Sequence, residues 1–429
     1  MLAMDILVFL IALLAYIVLI GIINERFFHL QSDIALIFFT LLFSMIAMGI
    51  HLLLPNHLVE EYITRLSDFH FREYLINGML CFMLFAGASK VNIRKLRTNV
   101  RSITLLTFLT TFLSALFFGV MFYIVALTFT LPIGFWTCVL LGCIVSPTDP
   151  IAATGILSKI GLSKNVCSVI ENESLFNDGM GVTLFIFVKS IVIQSNETTF
   201  TGLMFREVCG AVAVALTVSF LLFKLIKLTR DPIRYILISL LDVSSVYVIC
   251  EIFGFSGVIA SVVCGIYFSA MMDRIRHTVA VVDRKDFYRD FWEIMENILN
   301  SVLFVMIGFT VMSVRASDYY HIILPATIIA LLLSRFAGVY FSTVLIGNHI
   351  PGSYDRFEFV SLMTWSALKG GLSLALALET FEFLPTNVYT IILNTTYIAI
   401  FFSVLVQGLT IKRVYFALER RKARRIREQ

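Results

Sequence analysis

Apolar runs of about twenty residues, parted by short polar stretches, recur along the chain; that is the length a helix needs to cross the hydrocarbon core of a bilayer. The pattern predicts membrane-spanning helices at 5–23, 33–54, 74–89, 102–127, 133–157, 165–193, 206–226, 233–253, 255–272, 291–314, 320–347, 357–379 and 387–411. Two of these spans are interrupted. The first carries Val145-Ser-Pro-Thr-Asp-Pro-Ile151, and the second carries Trp365-Ser-Ala-Leu-Lys-Gly-Gly-Leu-Ser373. Proline removes a backbone donor and clashes with the preceding turn, and paired glycines weaken a helix. Both spans are therefore expected to unwind inside the membrane, which is tolerated only against protein or a cavity. Their equal placement in two halves points to inverted repeats. The predicted fold is an all-α polytopic membrane protein of about 13 transmembrane helices, with two inverted six-helix repeats and two crossing broken helices. Repeat one covers about 5–193, a connector helix 206–226, and repeat two about 233–411. Together they form a single transmembrane domain, 1–429, ending in a short basic cytoplasmic tail at 412–429.

Composition narrows the classes. Of 429 residues 59% are hydrophobic and only 14% charged, and mean hydropathy is +0.91. A soluble enzyme, a disordered chain and a nucleic-acid binder are all excluded, because one core could not bury so much apolar surface. The seven cysteines show no CxxC spacing and fall mostly in apolar runs, which argues against a disulfide framework or a zinc site. No cofactor is expected. The first apolar run follows Asp5 rather than a basic segment and reads as a retained helix.

Charge sets the orientation. Of the 33 lysines and arginines, 26 fall in alternate loops or the tail, and only Arg65, Arg72, Arg206 and Arg315 fall in the loops between. By the positive-inside rule the C-terminus is cytoplasmic and, with an odd number of spans, the N-terminus lies outside the cell membrane. The basic tail reads as a solvated topology signal, of a charge that suits contact with anionic lipids. Asn196 begins a formal glycosylation triplet in a loop expected outside.

The remaining charges sit at membrane depth. Lys189 is near enough to the outer end of its span to snorkel. Asp149, Glu173, Asp178, Arg335 and Lys369 are deeper, and Asp242 is a further acid with no evident partner. Each such charge costs roughly 2.5–3.5 kcal/mol at the centre of a spanning helix. They must pair or face water. Asp149 falls where half-helix ends meet, and Lys369 supplies the opposite charge in the second break, so the two would compensate opposite helix dipoles. Between the breaks runs Glu171-Asn-Glu-Ser-Leu-Phe-Asn-Asp-Gly179. On a helix Glu173 shares a face with Asn177, and Ser174 with Asp178. Hard oxygen ligands of this kind suit a small cation.

These residues resemble the sodium/proton antiporter family that includes NhaP-type and NHE-type proteins, over almost the whole chain. The resemblance rests on S-P-T-D-P (146–150), E-S-L-F-N-D-G (173–179), G-F-S-G-V-I-A (254–260), F-W-E-I-M-E-N-I-L-N-S (291–301), Ser334-Arg335 and W-S-A-L-K-G-G-L-S-L-A-L-A-L (365–378). It implies a homodimer with a mobile core, and Na+ bound at Asp178, Asp149 and Glu173. Asp178 would be the principal carboxylate, with Ser174 and the Thr148 backbone as further ligands. Asn177 would shape the site and Arg335 would pair with Glu173. One departure is Lys369, where the family usually has Arg; the charge is kept but the bidentate fork is lost.

The charge sum points to a mechanism. Three acids (Asp149, Glu173, Asp178) against two bases (Arg335, Lys369) leave a net −1, which one monovalent cation or one proton neutralises. Exchange of Na+ (or Li+) for H+ would then be one-for-one and electroneutral. A K+/H+ antiporter could use the same scaffold. An organic-anion symporter would want fewer clustered acids, and a channel would want repeated filter sequence. The G-x-S-G match at Gly254–Gly257 would suit a serine protease only with a nearby base; close helix packing explains it better.

Overall fold

The computed structural model describes residues 2–53, 78–90, 103–193, 202, 205–229, 231–274, 279–311, 317–347, 350–351 and 354–428. The Asn196 triplet, Arg65, Arg72, Arg94, Lys95, Arg97, Arg101, Arg230, Arg276 and Arg315 lie outside the described residues. The first half comprises α1 (Leu2–Ile23), α2 (Ser32–Leu53), α3 (Leu80–Ser89), α4 (Thr110–Thr128), α5 (Phe135–Val145), α6 (Pro150–Lys159) and α7 (Lys164–Val192). Next come α8 (Gly210–Ile226), α9 (Pro232–Phe253), α10 (Gly257–Arg274) and α11 (Val279–Thr310). The last are α12 (Tyr320–Ile346), α13 (Arg356–Trp365), α14 (Gly371–Glu379), α15 (Thr386–Phe401) and α16 (Leu409–Glu428). Nine helices among the described residues are long and apolar enough to cross a membrane, and three shorter apolar helices accompany them. The expected interruptions are present. The span at 133–157 is α5 plus α6, and the span at 357–379 is α13 plus α14.

Local chemistry sets these boundaries. Ser163 caps α7, its hydroxyl accepting from Val166 N at 3.4 Å. Asp231 caps α9 ahead of Pro232, and Gly254 ends that helix at φ 67°. A reciprocal box opens α13: Glu358 N donates to Asp355 Oδ1 at 2.6 Å, and Asp355 N to Glu358 Oε2 at 2.9 Å. Ser256 accepts from Ile259 N at 3.3 Å in the first turn of α10. The G-x-S-G match is thus a helix start.

Among the described residues three apolar cores hold the helices. The largest joins α2, α4, α5, α7, α14 and α15. A second lies under α6, the start of α7, α13 and α16. The third is built from α3, α8, α9, α10 and α11. Helix backbones approach closely where side chains are small: a Cβ on Gly142 of α5 would fall 2.0 Å from the Ala115 carbonyl oxygen of α4. Outward faces are apolar too, with Leu7, Val8, Ile11, Phe220, Leu221 and Ile252 exposed. Such a surface suits lipid.

The basic tail differs from a merely solvated segment. It continues from α15 through a π-helical turn at Phe402–Gly408 into α16, whose Ile411, Tyr415 and Leu418 are buried. Arg425 bonds Asp355 at 3.4 Å and Glu358 at 3.2 Å, at the start of α13. Apolar positions four and three apart give the tail one packing face. Lys189 also has a fixed partner, Glu379 at the end of α14, at 2.6 Å.

The candidate ion site

The two breaks touch. Asp149 N donates to Leu368 O at 2.8 Å, joining the unwound segments by an isolated antiparallel bridge. Lys369 then reaches across and its Nζ donates to the carbonyls of Ser146 and Pro147, each at 3.1 Å. These carbonyls lie at the C-terminal end of α5, where unsatisfied oxygens carry negative partial charge. The Lys369 backbone is held in turn, its N donating to Ser403 Oγ at 3.0 Å. Close approach of the second break needs glycine: a Cβ on Gly370 would lie 3.0 Å from Asp149 Oδ2. Asp149 therefore sits beside the N-terminal ends of α6 and α14, where carboxylates are favoured.

Helix α7 closes the site from the side. Asn177 Nδ2 donates to Thr148 Oγ1 at 2.7 Å and to Glu173 Oε1 at 3.0 Å, while its Oδ1 accepts from Thr148 N at 3.2 Å. The Thr148 and Ser174 hydroxyls bond each other at 2.9 Å. One amide thus ties the first break to the helix. Arg335 of α12 meets Glu173 through two parallel bonds, Nη1 to Oε1 at 3.0 Å and Nη2 to Oε2 at 2.8 Å. Both side chains are at most 5% exposed, so the pair satisfies what would otherwise be a costly buried charge. A third contact is steric: Pro147 lies where a Cβ on Gly181 would be, 2.3 Å from its Cγ.

Asp178 is half-buried and, with Asp149 and Thr148, lines a cavity of about 70 Å³. It is within electrostatic reach of Asp149, Glu173 and Lys369. Such a volume admits a few water molecules. Asn300 Nδ2 and Ser373 Oγ, which also belong to the lining, have no hydrogen-bond partner among the described residues. The small cavity meets a vestibule of about 850 Å³ on the side of Lys90 and Lys164, the side of the basic loops. Toward the opposite side Leu140, Leu141, Phe185 and Leu374 are fully buried.

Three polar residues of this region escaped sequence reasoning. Glu296 and Asn300, four apart on α11, fall within a run noted only for its order. Asp33, buried in the first turn of α2, lies within electrostatic reach of Asp149 and Glu296. An acid there reads as a helix-start residue, so nothing in the sequence marks it. Asp242 goes elsewhere. It is fully buried in the third core, where Cys264 Sγ donates to its Oδ2 at 2.9 Å. Among the described residues no three His, Cys, Asp or Glu side chains are gathered as a metal-ion cage.

Fold and site together define a helical membrane protein with crossed broken helices around a polar, charge-bearing cavity. The comparisons give the family. A family model described as "Sodium/hydrogen exchanger, transmembrane" matches residues 9–417, and the chain belongs to that family. It is 29% identical over 414 residues to the Na+/H+ antiporter NhaP of Pseudomonas aeruginosa, covering 94% of this chain and 96% of that one. It is 30% identical over 364 residues to NhaH of Halobacillus aidingensis, covering 83% and 85%. The solved structure of the sodium proton antiporter MjNhaP1 from Methanocaldococcus jannaschii shares the fold, with TM-score 0.75 at 20% identity, covering 97% of this chain and 99% of that one.

Proposed function

We propose that this chain exchanges Na+ (or Li+) for H+, one for one, by alternating access at a single carboxylate site centred on Asp178. The observation that carries the reading is the pair of bridged helix breaks, with Asp149 and Asp178 lining a cavity that shares Gly87, Leu175 and Glu296 with a larger vestibule. Asp178 and Asp149 would meet the ion, with oxygens of Thr148 and Ser174 and with water. Glu173 would act through its bonds to Arg335 and Asn177, holding the site's shape and charge. The transported ion is a substrate here, and no resident cofactor enters.

Coupling follows from electrostatics. With Glu173 matched to Arg335, the inner set is Asp149, Asp178 and Lys369, one negative charge in excess. An empty site would carry that charge through a low-dielectric interior, at a cost of several kcal/mol. A bound cation or a bound proton cancels it, and two together would overshoot. Only the loaded forms should therefore cross between the two faces, which gives exchange rather than leak.

The matched breaks also support assignment of repeats at about 5–193 and 233–411, about the connector 206–226. The basic loops support placement in the cell membrane with the N-terminus outside and the C-terminus in the cytoplasm. Pairing of two chains as a homodimer, with lipid around it, is part of the same reading. Its test is proteoliposomes carrying an internal pH dye: adding Na+ should collapse an imposed proton gradient. The same assay with Li+ and K+ names the ion, and a response to K+ alone would replace this reading by K+/H+ exchange.

A further inference from the structure

The neck between the vestibule and the inner cavity is marked by three residues that line both: Gly87, Leu175 and Glu296. Glu296, on α11, is 5% exposed. Its carboxylate is paired with Lys90, which reaches from the end of α3 with its side chain 39% exposed. Gly87, one turn before Lys90, is close to Glu296: a Cβ there would stand in ordinary contact, 3.5 Å from Glu296 Oε1. Glu171, Glu293 and Lys164 line the vestibule beyond. Asp33 of α2 is within electrostatic reach of Glu296 but lines neither cavity.

We propose that Glu296 is a transfer station for the cation between vestibule and Asp178, and that Lys90 is a tethered competitor which the mobile cation displaces. The proposal rests on the exchanger reading and adds the access path to it. A cation leaving vestibule water for a cavity of about 70 Å³ must shed hydration, and a carboxylate at the neck supplies oxygen where that happens. Left unpaired, so buried a carboxylate would be costly. Lys90 removes that cost while the path is empty. Its flexible stem and partial exposure let the ammonium swing into vestibule water when displaced. Ammonium and Na+ carry the same charge, so their exchange leaves the neck neutral and the charge balance at Asp178 unaltered.

The test is the Na+ dependence of exchange in right-side-out and inverted vesicles, so that Na+ is supplied at each face in turn. Glu296→Gln should raise the half-saturating Na+ at the Lys90 face by about 3–10-fold, more than it lowers the maximal rate, and shift the opposite-face value less. Lys90→Met should lower the Lys90-face value by about 2–5-fold, the opposite direction. Equal shifts at both faces, a lower maximal rate with unmoved half-saturation, or Lys90→Met raising or not moving the value would overturn the proposal. Glu296→Gln leaves no buried charge unpaired, Lys90 being partly exposed, so it carries the test if Lys90→Met does not fold. Absence of exchange by the unaltered chain would overturn the exchanger reading and this proposal with it, whereas exchange with unmoved variants would overturn this proposal alone.

Discussion

Asp178 and Asp242 are the same residue type, each within an apolar spanning helix, yet their surroundings differ in kind. Asp178 faces a cavity, has Asp149, Glu173 and Lys369 within electrostatic reach, and is half-buried. Asp242 is fully buried, its bonded partner is the thiol of Cys264, and Trp292, bonded to Ser239 at 3.1 Å, packs in the same core. Depth alone therefore does not set one acid apart from the other; a lined cavity and other charged groups within reach distinguish Asp178.

The largest expected effect comes from Asp178→Asn, which removes the charge and keeps the shape. Exchange in everted vesicles should fall on the order of 100-fold or more, because the amide cannot alternate between cation and proton. Arg335→Ala comes next. It strands Glu173 as a buried charge, at about 3–5 kcal/mol, and should lower the thermal unfolding midpoint in detergent as well as the rate. A midpoint equal to that of the unaltered chain would show that Glu173 finds another partner.

Lys369→Met is expected to be milder: it leaves the Ser146 and Pro147 carbonyls without their donor and the inner set one charge more negative, which one extra bound proton offsets, but it strands no acid in direct contact. Two lost charge-assisted bonds at about 1.5–3 kcal/mol each, partly replaced by water, predict roughly a tenfold slower exchange. Lys369→Arg should be slower than Lys and faster than Met, because the charge is kept while the fork does not fit a point-charge contact. The smallest effect is Asp242→Asn. An amide can still accept from Cys264, so the rate should stay within about twofold and stability should hold or rise. A large loss of exchange there would erase the contrast with Asp178.

Much of the architecture was legible because the bilayer writes strong signals. Apolar run length marked the spans, and proline and glycine marked the two interruptions. Glu173 could be paired with Asn177, and Ser174 with Asp178, because helical spacing puts each pair on a shared face. The bridge between Asp149 and Leu368, and the reach of Lys369 to the opposite break, depend on how distant segments cross. No local pattern encodes that. Glu296 was hidden for a related reason: its significance lies in a neck formed with α3, some two hundred residues away in the chain. The packed tail was missed because a basic run reads as solvated until its apolar stripe is matched to a partner surface.

The central claim is single-site, one-for-one exchange of a cation for a proton at Asp178. Transport and current recorded together, on proteoliposomes adsorbed to a supported membrane, test it most directly. The account predicts Na+-driven proton movement that needs no membrane potential, carries no steady current and vanishes in Asp178→Asn. A current that scales with transport would contradict the stoichiometry, and exchange that survives Asp178→Asn would contradict the site.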